Sequence, residues 1–254
     1  MNLTELCERL DEELRTAAFA DLDASANGLQ VGPREAEIGR VALAVDAAVE
    51  TIEAAREEGA DLLLTHHGIS WDGIERVTGN EYDRIAALIE GETALYVSHL
   101  PLDSHPDLGN AAGVAGVLGL EDREPFGSLG PETIGLCGRL PEPIGIGRVE
   151  ERLGERLDPE QGIQTLEFGP ERVESVAVVT GSGVDWLDEA VEAGVDAFVT
   201  GEGKQHVYHE AREAGIHVLL AGHYATETFG VRSIGGLLEG WGVEATFLDH
   251  PTGL

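Results

Sequence analysis

Cysteine is nearly absent from this chain of 254 residues. Cys7 and Cys137 lie far apart and form no CxxC pair. They are expected to be two free, buried thiols of a reducing compartment. Long apolar runs are missing as well. No stretch of about 18 apolar residues occurs, so no membrane span is expected. No signal peptide is legible at the N-terminus, and a cytoplasmic location follows as the expectation. Positive charge is scarce: 16 basic residues, with Lys204 the one lysine, face 48 acidic ones, for a net charge of −32. Repulsion of that size destabilises a compact chain at low ionic strength. It is screened within a few ångströms at about molar salt. The acidity is spread along the whole chain. It therefore reads as adaptation to a salty cytoplasm, as in halophilic archaea, rather than as one acidic face for a cationic partner. Binding nucleic acid through its phosphates needs basic patches, so that class is disfavoured. No Walker-type phosphate loop is present.

Hydrophobic residues make up 42% of the chain, enough for a real core. Leu3, Leu6, Cys7, Leu10 and Leu14 fall at helical spacing and predict a first helix over about 3–17. Asn2 and Glu5 stand where a variant capping box would close its start. The motif NGLQVG at 27–32 reads as a turn feeding a short extended piece. Strands are then expected at 41–45, 61–65 and 94–97, with helices at 47–58, 81–90 and 109–118 between and after them. A similar pattern returns, with strands at 175–179, 197–199 and 217–221 and helices at 186–193 and 205–214. The last helix should end near Trp241, before a strand at 245–248. Strand–helix–strand alternation means largely parallel sheets covered by helices. EEGADLLLTHHG and EAGVDAFVTGEG share one design, and YVSHLPLD and LLAGHYATE both carry His-x3-acid. An internal duplication follows, relating 41–118 to 175–240. The expected organisation is an N-terminal α/β half (1–120), a connecting subdomain (121–172) and a C-terminal α/β half (173–254). Trp186 and Trp241 read as core residues.

In open α/β sheets, ligands bind beyond the carboxyl ends of parallel strands. Four polar clusters fall there: His66 with His67, His99 with Asp103, Glu202 with His206, and His223 with Glu227. Imidazole and carboxylate together suit zinc, iron, manganese or nickel. Their number exceeds what one His2Glu zinc site uses. It suits two ions about 3.5–4 Å apart. His223 and Glu227, at i and i+4, share one helix face.

The segments NGLQVG (27–32), LLLTHHG (62–68), SHLPLD (98–103), TGEGKQH (200–206) and AGHYATE (221–227) occur together and in order over nearly the whole chain. In this the sequence resembles the Nif-three-like family, the dinuclear-metal hexameric proteins labelled GTP cyclohydrolase I type 2 homologues. The resemblance implies His66, His67, Asp103, His223 and Glu227 as metal ligands. It also implies two interlocked α/β domains with a metal pair in the cleft between them, and a toroidal homo-hexamer. Two divalent ions per subunit (Zn, Fe, Mn or Ni) would lower the pKa of a shared water for attack on carbon or phosphorus. His99, Glu202 and His206 would move protons. The family label suggests a nucleotide, GTP, as the small-molecule substrate, although none of these residues reads guanine. The alternatives are a non-catalytic metal carrier, insertion factor or regulatory protein, and a metal-stabilised oligomeric scaffold.

Overall fold

A computed structural model describes every residue from Met1 to Leu254. The chain divides into two compact units, Met1–Leu102 with Gly230–His250, and Asp103–Phe229 with Pro251–Leu254. The polypeptide leaves the first unit, builds the second and returns to the first.

The first unit begins with α1 (Leu3–Glu13). Asn2 caps it by accepting a hydrogen bond from Thr4 N at 2.9 Å, which satisfies one of the N–H groups a helix start leaves over. Leu3, Leu6 and Leu10 line its buried face, and burying each stabilises by roughly 1.5–3 kcal/mol. The helix stops short of the expected residue 17. Arg15 takes a left-handed conformation (φ 53°), and a 3-10 turn over Thr16–Phe19 follows. Then come β1 (Gly28–Val31), β2 (Arg40–Asp46), α2 (Val49–Glu57), β3 (Leu62–His67), α3 (Asn80–Glu90) and β4 (Ala94–Val97). The unit breaks off at Leu102 within a single helical turn, α4 (Leu100–Asp103).

The second unit contributes α5 (Asn110–Leu118), β5 (Glu121–Leu129), β6 (Glu132–Ile144), α6 (Ile146–Leu157), β7 (Gln164–Leu166) and β8 (Val173–Val178). It continues with α7 (Leu187–Ala193), β9 (Ala197–Thr200), α8 (Val207–Ala214) and β10 (His217–Leu220). The long α9 (His223–Gly240) starts in this unit, and β11 (Glu244–Phe247) lies in the first. No helix is long and apolar enough to cross a membrane.

The first sheet has the order β1-β4-β3-β2-β11 and the second β5-β6-β8-β9-β10-β7. In each, three successive strands lie side by side and parallel: β2-β3-β4 and β8-β9-β10. In each, an antiparallel strand closes the edge beyond the third, β1 on β4 and β7 on β10. This shared order is what a duplicated strand–helix–strand unit leaves. The central strands read as unbroken apolar runs because both their faces are covered; Leu62, Leu63 and Leu64 are all fully buried.

Further expectations need correction. Cys7 and Cys137 are free but only half-buried. Residues 121–172 are not a separate connecting body. They supply β5, β6, α6 and β7, and their strands pair directly into the second sheet. Strand β5 escapes a sequence reading because it is an edge strand, mostly exposed, with charges and Pro125 in it; the sheet edge is where proline is tolerated. The strand expected over 61–65 runs on to His67, because its parallel neighbour β2 extends to Asp46 and pairs with it there. Trp186 and Trp241 are half-buried rather than core. The indole N–H of Trp186 donates to Ser128 O at 3.0 Å, and the Arg9 guanidinium lies 4.0 Å over the Trp241 ring.

Candidate metal centre

Strand β3 ends in two histidines, and the bend after β4 brings a third beside them. The rings of His66 and His67 have centroids 4.7 Å apart, and His99 lies 5.0 Å from the first and 5.6 Å from the second. One ligand atom from each falls within 4.8 Å of the others. Each ring is oriented from behind. His66 is fully buried and its Nδ1 meets the Ser98 carbonyl oxygen at 3.0 Å. A carbonyl accepts and never donates. Nδ1 therefore carries the proton, and Nε2 is the electron-pair donor. His67 places Nδ1 2.8 Å from Asp46 Oδ1, and His99 places Nδ1 2.9 Å from Asp23 Oδ1. Fixing Nδ1 on an acceptor sets the tautomer and raises ligand basicity, the usual support of a metal-binding histidine.

The carboxylate behind His99 is used completely. Asp23 Oδ1 also accepts from Ser25 N at 2.9 Å, and Oδ2 accepts from Asn27 Nδ2 at 2.8 Å and Leu100 N at 3.0 Å. Its side chain is 1% exposed. Burial pushes its pKa up, but the His99 hydrogen bond and charge, with the bonds from Asn27 and Ser25, outweigh that and hold the carboxyl below the ordinary range. Asn27 also accepts from His99 N at 2.7 Å. The turn read from NGLQVG thus packs under this group.

The second unit carries its own cluster. His223 opens α9, and Glu227 follows one turn later with Oε2 3.2 Å from His223 Nε2. Glu202, past the end of β9, sets Oε1 3.4 Å from His223 Nδ1 and accepts from the Ser182 hydroxyl. Burial lowers the His223 pKa, yet the Glu227 and Glu202 carboxylates more than offset it and raise it to about 9. A metal ion held by His223 would have to displace that proton. Gly181 makes the space: its φ is +58°, and a Cβ there would run into the Glu227 carboxylate. Gly181 N donates to Thr226 Oγ1 at 3.2 Å. The preceding residue, Thr180, donates to Asp103 Oδ1 at 3.3 Å, which also accepts from Asn110 Nδ2 at 2.8 Å. Asp103 and Glu227 are both buried. The donor set, imidazoles backed by acceptors together with buried carboxylates, fits a divalent transition metal.

Of the residues expected to move protons, His99 joins the histidine group and Glu202 joins the His223–Glu227 pair. His206 does neither: it is half-exposed before α8, with Glu210 Oε2 3.7 Å away as its ionic partner. Sequence reasoning missed Asp46, Asp23, Gly181 and Trp71. Asp46 carried a signal, standing at the carboxyl end of the neighbouring parallel strand; Asp23 carried none. The Trp71 ring centroid lies 5.1 Å from that of His99 and 6.0 Å from that of His67.

The model of the Duf34/NIF3 (NGG1p interacting factor 3) family matches residues 1–252. Over 255 residues the chain is 56% identical to a Halobacterium salinarum protein named GTP cyclohydrolase 1 type 2 homolog, with all of both chains covered. An Archaeoglobus fulgidus protein of the same name is 42% identical, again over the full length of both. A crystal structure of a Thermus thermophilus protein superposes with a TM-score of 0.91 at 39% identity, covering 100% of each chain.

Proposed function

The chain belongs to the Duf34/NIF3 family, and on that footing we propose that it is a cytoplasmic, metal-dependent hydrolase of the GTP cyclohydrolase 1 type 2 class. The observation that carries the reading is the group of three imidazoles, His66, His67 and His99, each with Nδ1 held on an acceptor. Evolution of so much orienting structure is hard to explain for histidines with no ligand. His66, His67, Asp103, His223 and Glu227 would hold two divalent ions. When bound, such ions supply a water-derived nucleophile at neutral pH and polarise the bond under attack. His99, clamped by Asp23, and Glu202, beside Ser182, are placed to take and return protons. His206 joins neither group and is assigned no proton step. A nucleotide, as the relatives' name indicates, is the proposed substrate, and a homo-hexamer is the proposed assembly.

The test uses protein purified in high salt without chelators. Metal analysis by mass spectrometry should find two ions per subunit; a value near zero overturns the reading. Loaded protein is then assayed against GTP, other nucleotides and phosphoesters. Turnover abolished by His67→Ala supports the hydrolase. Tight, exchangeable metal with no turnover across the panel overturns it in favour of a carrier. Light scattering in the same buffer should give six subunits, and a monomer sinks that part.

A further inference from the structure

We infer that Trp71 is the stacking wall for a planar heteroaromatic ring of the substrate, held beside the histidine group of the first unit. The inference rests on the hydrolase reading and names how that site would recognise its substrate.

The backbone at Trp71 is held on both sides while the side chain is left open. Trp71 forms an antiparallel bridge with Ser25, closed by Ala26 N to Ser70 O at 3.1 Å and Asp72 N to Ala24 O at 2.7 Å. The approach to it is braced by Gln30, which accepts from Ile69 N at 2.9 Å and donates to Ala26 O at 2.8 Å. Gly68 has no side chain because Gln30 fills that space. Yet Trp71 is 42% exposed. A tryptophan kept for core packing would be covered, and one on a loose loop tip would not be paired on both sides.

The bracing segment also positions the histidine. Residues 24–26 hold the Trp71 backbone, while Asp23 and Asn27, flanking them, hold the ring and backbone of His99. One turn therefore sets the indole against His99, with the two planes at 79°. The charged groups behind the rings are the carboxylates Asp23 and Asp46. A phosphate gains nothing from those two carboxylates, and in molar salt its attraction to any cation not in direct contact is screened. An uncharged π-face suits recognition under those conditions, because base–aromatic stacking accepts any planar ring and needs no charge. The ligand class is a nucleobase or a comparable nitrogen heterocycle.

The experiment uses the metal-loaded full chain carrying Trp186→Phe and Trp241→Phe, so that Trp71 is the one tryptophan left. Its fluorescence is titrated in high salt with guanosine, adenosine, cytidine and ribose. At least one nucleoside should quench it saturably, and ribose should not. Equilibrium dialysis of that nucleoside with Trp71→Ala and Trp71→Phe, each in the otherwise natural chain, needs no fluorescence. The alanine variant should bind about tenfold to a hundredfold more weakly, and the phenylalanine variant should keep most of the affinity. Quenching by no nucleoside, or equal binding by Trp71→Ala, overturns the inference. So does a Trp71→Ala chain that changes only its oligomeric state, which would make Trp71 with its exposed neighbours Ile74 and Val77 a contact between copies. Metal content is measured on the same samples. Metal retained without ring binding sinks this inference alone, and metal absent from the natural chain sinks the hydrolase reading beneath it.

Discussion

His67 and Asp46 lie opposite each other in register on neighbouring parallel strands, and Nδ1 of the histidine sits 2.8 Å from Oδ1 of the aspartate. The carboxylate fixes the tautomer and strengthens Nε2 as a donor. Asp46→Asn keeps the shape and removes the charge. Metal affinity should fall about 10- to 100-fold, read by competition with a chelating dye. The melting temperature should hardly move, since the Asp46 side chain is 35% exposed. Unchanged affinity would show that the pair is structural.

Gly181 and Gly194 both have positive φ, at +58° and +70°, but different surroundings. A Cβ at Gly194, which ends α7, meets nothing within 4 Å. Gly194→Ala should therefore cost only the left-handed strain, about 1–2 kcal/mol. Gly181→Ala adds a collision with the Glu227 carboxylate. It should destabilise more than Gly194→Ala and also lower the bound metal per subunit. Denaturant melts and metal analysis of both variants check this, and equal effects would remove Gly181 from the site.

Tyr96 and Cys7 predict an alkaline limit on stability. Burial, with the Asp11 carboxylate next, pushes the Tyr96 hydroxyl well above its ordinary value of 10.0. Burial, then Asp11 and Glu8, pushes the Cys7 thiol up from 9.0 to about 11. The folded chain thus keeps protons that the unfolded chain gives up. The resulting stability is complete below the unfolded values of 9.0 and 10.0 and is lost as pH rises above them. Tyr96→Phe should flatten that loss above pH 10. It should also cost about 1 kcal/mol at neutral pH, through the hydrogen bond the hydroxyl donates to Asp11 Oδ1 at 2.8 Å. Urea melts between neutral and alkaline pH test the sign, and stability that rises with pH in this range contradicts it.

The net charge of −32 predicts a strong dependence on salt. Between about 0.1 M and 1 M the screening length falls from about 10 Å to about 3 Å. The melting temperature should climb steadily with KCl over that range. A flat profile would refute the reading of the acidity as salt adaptation.

Glycine, apolar runs and residue type were enough to read much of this molecule. The parallel strands around Leu62–Leu64 and Ala197–Val199 were visible because strands buried on both faces become continuous apolar runs. Helix ends were visible where glycine follows, as at Gly194. The edge strand β5 was not, because one half-solvated strand pairs on backbone alone and its side chains are free to be charged. The chemistry at the strand ends was visible as residue types, and only as types.

The sequence by itself determined the acidity, the alternation of strands and helices, and the placement of histidines and acids where parallel strands end, because these are local properties of composition and period. Only the tertiary structure decided which acceptor each imidazole meets. Ser98 lies 32 residues from His66, Asp46 lies 21 from His67, and Asp23 lies 76 from His99. It likewise decided that Trp71 stands against His99, since sheet register and a turn at 23–27 bring them together. No local pattern encodes a contact that closes through the pairing of distant backbone.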